Sequence, residues 1–154
     1  MATPKFASTA KGSWSGKSRL NLPWLPKDKQ ITESVSKLHV DLDELNTFAT
    51  ITYTWEHEGK RHEGSMLVCG SAKSKDVQVA WVDSWHQSTS VLYLKGKEDA
   101  KGNIKTKGTY DAEGQTWGWT IAFELADDTL TMRMENVMPD DKADWAVEAI
   151  YKRA

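Results

Sequence analysis

In the run Trp81-Val82-Asp83-Ser84-Trp85-His86 a carboxylate stands between two indoles, and this is where the chain first suggests chemistry. Side chains two apart on a β-strand point the same way, so Trp81, Asp83 and Trp85 are expected to share one face. Ala80, Val82, Ser84 and His86 then fall on the other. A carboxylate enclosed by indoles must either meet a cation or rise in pKa. It can anchor a ligand's hydroxyl or amine, with His86 as a further polar anchor, or act as a general base. It can equally pair with a neighbouring group at a barrel mouth, a structural role, while the indoles fill the core.

Two other groups invite the same question. Trp55-Glu56-His57-Glu58-Gly59-Lys60-Arg61-His62-Glu63 puts His57 and His62 on either side of a turn. Facing each other beside carboxylates, they would have the donors for a divalent metal. A run this charged is more simply a solvated hairpin tip, and no metal site is assigned. The segment from Thr116 to Leu125 carries Trp117, Trp119, Ile121, Phe123 and Leu125 on one face, and its neighbour offers Leu130, Met132, Met134 and Asn136. With Tyr53, Trp55 and Met66 these would line an apolar cavity, methionine supplying adaptable walls. Cys69 is the only cysteine, which excludes an intramolecular disulfide. No Gly-x-Ser-x-Gly elbow and no phosphate-cradling glycine loop occurs, so no catalytic residue is assigned and no cofactor is expected.

The elements that must position these residues read as strands. Apolar residues recur at period two near 12–20, 30–41, 47–57, 61–69, 77–86, 89–96, 103–110, 115–125, 128–137 and 144–153. Turn residues such as Glu58-Gly59-Lys60, Lys101-Gly102-Asn103 and Ala112-Glu113-Gly114 separate many of them. Ten antiparallel strands in sequence form a meander, which closes most readily into a barrel. Pro23 and Pro26 make 21–30 a loop, a possible flap over one end. The last segment alternates as Trp145, Val147, Ala149, Tyr151 and Arg153, yet Ala146, Ala149, Ile150 and Arg153 also fit a helix. Residues 1–10 are expected to be a flexible N-terminal segment, and 11–154 one β-barrel domain.

Lys11-Gly12-Ser13-Trp14-Ser15-Gly16 resembles the Gly-x-Trp signature on the first strand of lipocalins and other calycins. That resemblance implies a calycin-like barrel in which a basic residue of the last strand, here Arg153 or Lys152, lies against Trp14. Within calycins the chain is similar to a bacterial barrel family of unknown function, through Trp81 to His86 and the closing Ala149-Ile150-Tyr151-Lys152-Arg153. Fatty-acid-binding proteins place a helix-turn-helix after strand one, which the 21–30 segment is too short to supply. Nitrobindin-type haem barrels share Gly12, Trp14, Gly16 and Pro23, but they ligate haem through a late histidine, and no histidine follows His86.

Composition narrows the function classes. Twenty basic residues against 22 acidic ones, net charge −2, with no basic block, exclude an electrostatic nucleic-acid footprint. No apolar stretch approaches a membrane span of about 18 residues, and the first ten residues lack a signal-peptide core. A cytoplasmic protein is expected. Its leading function is binding of a small hydrophobic or aromatic molecule in the barrel lumen. Trp55, Trp81, Trp85, Trp117, Trp119, Met66, Met132 and Met134 would form the walls, and Asp83, Tyr53 and His86 the anchors. The alternatives are a cofactor-independent enzyme using Asp83 or His86 as acid or base, and a protein-interaction barrel, possibly a homodimer, using exposed tryptophans near Trp24 and Trp145.

Overall fold

In the computed structural model, which describes residues 1–87 and 89–154, ten strands follow one another around a closed antiparallel barrel. They are β1 (Gly12–Asn21), β2 (Ile31–Leu42), β3 (Phe48–His57), β4 (Lys60–Gly70), β5 (Asp76–Asp83), β6 (Leu92–Glu98), β7 (Ile104–Ala112), β8 (Gln115–Ala126), β9 (Thr129–Val137) and β10 (Ala143–Arg153). Each strand pairs with its sequence neighbours, and β10 returns to pair with β1. Closure leaves no free edge, the usual liability of a long meander. The last segment is therefore a strand, because β1 and β9 take up its two ladders.

Several turns use left-handed backbone. Glu58 and Gly59 both have positive φ, at 50° and 74°, as do Glu113 and Gly114 at 54° and 73°. Two successive positive-φ residues match the right-handed twist of tight hairpins, which fixes the β3–β4 and β7–β8 registers.

Residues 1–10, expected to be flexible, instead pack on the barrel. Ala2 bridges Gly70, and Lys5–Ala10 forms a short helix, α1, across the end where β1 begins. Pro4 precedes it with φ −57°, ready for a helix start. The buried residues Phe6, Ala7 and Ala10 point it inward, and the Phe6 ring stacks on Phe123 at 5.0 Å. Phe6 N–H also donates to the Gly102 carbonyl at 3.1 Å.

Arg153 ties the helix down. It is the register partner of Trp14, and its guanidinium carbon lies 4.4 Å from the centre of that indole. The same group donates to the carbonyls of Thr9 and Lys11, at 2.6 Å each, while Trp14 Nε1–H donates to Ala10 at 2.7 Å. A cation over an indole contributes about 0.5–2 kcal/mol, and here it also satisfies the carbonyls where α1 ends.

The lumen expected to be open is filled. Trp14, Trp81, Tyr151, Phe6, Phe123, Met66 and Met132 are all less than 2% exposed or close to it, within one continuous apolar cluster. A ten-stranded barrel is wide enough to hold a cavity, but these bulky side chains and the inserted helix occupy the space. Tyr151 brings a hydroxyl into this core and pairs it with Ser36 Oγ at 2.8 Å; burial pushes the phenol up to about 12. No helix among the described residues is long and apolar enough to cross a membrane.

Phe6→Ala is expected to lower stability by about 3–5 kcal/mol, the cost of truncating a buried phenylalanine. Equilibrium denaturation measures it, and limited proteolysis should then cut within residues 1–10. A change under about 1 kcal/mol would mean that α1 is not part of the cooperative fold.

Candidate functional site

The end opposite α1 is built from the last residues of the odd-numbered strands and the first residues of the even-numbered ones. Asp83 closes β5 there. Its side chain is wholly buried, yet it remains ionised because donors surround it. Tyr53 Oη–H donates to Oδ2 at 2.7 Å and Trp55 Nε1–H to the same oxygen at 3.2 Å. The backbone N–H groups of Trp85 and His86 donate to Oδ1 at 2.9 and 3.1 Å. His86 Nδ1 stands 3.2 Å from Oδ1, off the line of a directed hydrogen bond.

Gly64 makes this meeting possible. It is the register partner of both Tyr53 on β3 and Asp83 on β5. A Cβ at Gly64 would occupy the space of the Tyr53 phenol, so only glycine lets that ring cross β4 to reach the carboxylate. Trp81 Nε1–H then donates to Tyr53 Oη at 2.9 Å, completing a chain from indole to phenol to carboxylate.

The electrostatics follow from the donors. Burial alone would raise Asp83; the His86 imidazole and the hydrogen bonds from Tyr53 and Trp85 overcome it and hold the carboxyl down at about 2, below its ordinary 3.8. Burial and then the Asp83 charge push the Tyr53 phenol well above 10, so it stays a donor. Asp83 is thus an organising anion. With its oxygens occupied and its affinity for protons low, it is poorly suited to be a general base at neutral pH.

The turn after Asp83 is set by the same carboxylate. Accepting from the next two N–H groups but one is how an aspartate ends a strand. β5 therefore stops at Asp83 rather than continuing to residue 86. This corrects the expected facing of His86. The turn brings His86 to the inner side, where its ring lies 4.9–5.7 Å from the ring centres of Trp55, Trp81, Trp85 and Trp119. Trp81 and Trp119 stack in parallel at 5.4 Å beside it.

Above this floor lies a cleft of about 380 Å³, walled by Leu22, Trp24, Trp85, Trp117, Trp119 and Trp145, with Asn136 and Asp144 among its polar groups. Below, next to Asp83, His86 and Met134, the space shrinks to about 10 Å³, roughly one water. Of the residues proposed from sequence, Tyr53, Trp55, Trp81, Asp83, Trp85, His86, Trp117 and Trp119 converge at this end. Met134 touches only the small void. Met66 and Met132, each 1% exposed, are packed deeper in the core and line neither space.

Trp24 and Trp145 were not among the sequence candidates for this site. Trp24, 70% exposed, sits in the proline loop, whose Leu22 is buried against the barrel. A bulge between Trp145 and Val147 turns Trp145 to the rim, where the Arg19 guanidinium lies 5.3 Å from its ring. A bulge of this kind leaves no mark in a period-two pattern.

The other candidates stay apart from the cleft. His57 pairs with Lys60 and His62 with Trp55, so the two histidines are not cross-strand partners. Among the described residues no group of three or more His, Cys, Asp or Glu side chains is arranged to hold a metal ion. A larger concavity, about 1030 Å³, is an open groove on the outer face of β1 to β5. Some of its polar walls are paired internally, Ser13 Oγ with His39 Nδ1 at 2.9 Å and Arg61 with Glu63 at 2.9 Å, while Gln87 Oε1 is buried without a partner among the described residues. Trp14 is the one tryptophan in its lining, where five line the smaller cleft, and this aromatic lining favours the cleft.

Comparison with known proteins agrees with this architecture. A profile described as "Protein of unknown function (DUF1579)" matches residues 5–153. The crystal structure of Rv2717c from M. tuberculosis is similar in fold, with a TM-score of 0.71 at 13% sequence identity, over 97% of this chain and 96% of that one. At that identity the likeness concerns the fold alone. No functionally curated protein matches the sequence.

The depressed Asp83 pKa makes stability depend on acid pH. Its folded value, about 2, lies below the ordinary 3.8, so its contribution is complete above about pH 4 and disappears as pH falls through 2. The margin by which the native protein exceeds Asp83→Asn in denaturant titrations should shrink by about 2 kcal/mol between pH 4 and pH 2. A margin independent of pH would contradict the ionised assignment. Gly64→Ala, by forcing Tyr53 off Asp83, is expected to lower stability by about 2–4 kcal/mol at neutral pH, and a neutral effect would show that the phenol has another route.

Proposed function

The chain belongs to the DUF1579 family of proteins of unknown function, and from the geometry of its barrel mouth we propose that it binds a small, largely apolar or aromatic molecule there. The observation that carries this reading is the convergence of Trp24, Trp85, Trp117, Trp119 and Trp145 on one cleft above a core that is otherwise solid. A volume of about 380 Å³ falls at the lower end of the range for small-molecule sites, about 300–1,000 Å³. The site is the mouth rather than the whole lumen.

The floor supports the same reading. Asp83 holds Tyr53, Trp55, Trp85 and His86 in place through hydrogen bonds and charge, so the cleft is formed before a ligand arrives. Preorganised aromatic walls lose little side-chain freedom on binding, and more of the contact energy then appears as affinity. The Arg153–Trp14 contact and the ten-strand meander support placing the chain among calycin-like barrels, as the Gly12-Ser13-Trp14 segment suggests. That placement suits a binder of small molecules, and an acid–base role for Asp83 is disfavoured by its low pKa.

The neutral fluorescent probe N-phenyl-1-naphthylamine tests the location. Its emission is expected to rise on binding, with Trp24→Ala weakening the affinity about three- to tenfold through loss of one aromatic contact. Tyr93→Ala, on the outer face and 72% exposed, should leave it unchanged. Equal affinities in all three proteins, or greater loss in Tyr93→Ala, would place binding elsewhere.

A further inference from the structure

We propose that the molecule held in the cleft is uncharged and carries a hydrogen-bond acceptor, such as a carbonyl oxygen, that receives the indole N–H groups of Trp117 and Trp119. This rests on the binding reading above and deepens it to a ligand class.

The indoles divide by location. In the interior, Trp14 Nε1–H donates to Ala10, Trp55 to Asp83 and Trp81 to Tyr53. Trp117 and Trp119 belong to the cleft wall, and among the described residues their Nε1 atoms are buried with no acceptor. Trp119 is only 8% exposed, so bulk water does not readily serve its N–H in place of a protein partner. Buried N–H groups are nearly always bonded, and two unmet donors side by side in the wall of one cleft call for an acceptor that enters it. Asn136 extends the pattern. Its Oδ1 accepts from Tyr110 Oη–H at 2.6 Å, which leaves the amide N–H₂ as the end free to donate toward a ligand.

Charge decides between kinds of acceptor. Among the described residues no lysine or arginine lines the cleft, the Arg19 guanidinium beside the Trp145 ring being paired with Glu148 at 3.3 Å, and Asp144 is the one Asp or Glu that does. A carboxylate ligand would therefore enter without a fixed cation to receive it and close to an anion, with ionised Asp83 beneath the floor. An ammonium ligand would find Asp144 and the indole faces, but it brings only donors and leaves both indole N–H groups unmet. A neutral planar molecule with a carbonyl satisfies the walls and the donors together.

Equilibrium dialysis against four probes on one ring system separates these cases: naphthalene, 2-acetylnaphthalene, 2-naphthoate and 2-naphthylmethylammonium. The ketone is expected to bind about tenfold more tightly than naphthalene, and more tightly than either ion. Trp117→Phe and Trp119→Phe each keep an aromatic wall and remove one N–H. In each, the ratio of ketone to naphthalene affinity should fall to about threefold or less, whatever the smaller ring costs both probes, while Tyr93→Ala on the outer face keeps the tenfold ratio. Equal binding of ketone and naphthalene would overturn the ligand class and leave the binding site standing. Tightest binding of the carboxylate or the ammonium would also overturn it. Failure of all four probes to bind would overturn the binding reading itself, and this inference with it.

Discussion

A buried carboxylate is the constraint on which the functional end of this barrel depends. Asp83 collects two side-chain donors from β3 and two backbone donors from its own turn, with an imidazole against its remaining side. Each of those groups is placed by the need to neutralise the charge. Tyr53 must reach across β4, which requires glycine at position 64; β5 must stop at Asp83 to release Trp85 and His86. Once paired, such a charge is costly to expose by removing a partner, so the arrangement holds the mouth in one shape.

The two ends of the barrel are therefore built by different physics. At one end, apolar burial and a cation over an indole seat α1, with Phe6 on Phe123 and Arg153 on Trp14. At the other, a polar network organises aromatic rings without covering them. Large side chains fill the space between, leaving a void of about 10 Å³ beneath the cleft above His86. Stability is concentrated in the filled part, and the mouth is left with unmet hydrogen-bonding capacity at Trp117 and Trp119.

Much of the fold was legible because period-two patterning is local and strong. The face carrying Trp117, Trp119, Ile121 and Phe123 points inward as the spacing implies, and all ten strands lie within a few residues of their expected bounds. Of the residues named from sequence, Trp85, His86, Trp117 and Trp119 line the candidate cleft while Met66 and Met132 do not, and none of the geometry was legible. Asp83 reads as another inward strand position until its donors are known, and those come from β3, thirty residues away. Gly64 carries no signal of its own, since its role is the space it leaves for Tyr53 on the adjacent strand. Helix α1 is six residues long, too short for periodicity to show, and is held by contacts with Gly102 and Phe123 from distant hairpins. The bulge that moves Trp145 to the rim is likewise a property of pairing.

The most direct measurement is a ¹⁵N–¹H spectrum of the tryptophan indole N–H groups, assigned by single substitutions, before and after addition of 2-acetylnaphthalene. Eight indoles report on the whole molecule, from the α1 end to the mouth. The account predicts large downfield proton shifts at Trp117 and Trp119 and little change at Trp14, which already donates to Ala10 on the far side. Shifts centred on Trp14, or a spectrum unchanged at saturating probe, would contradict a binding site at the barrel mouth.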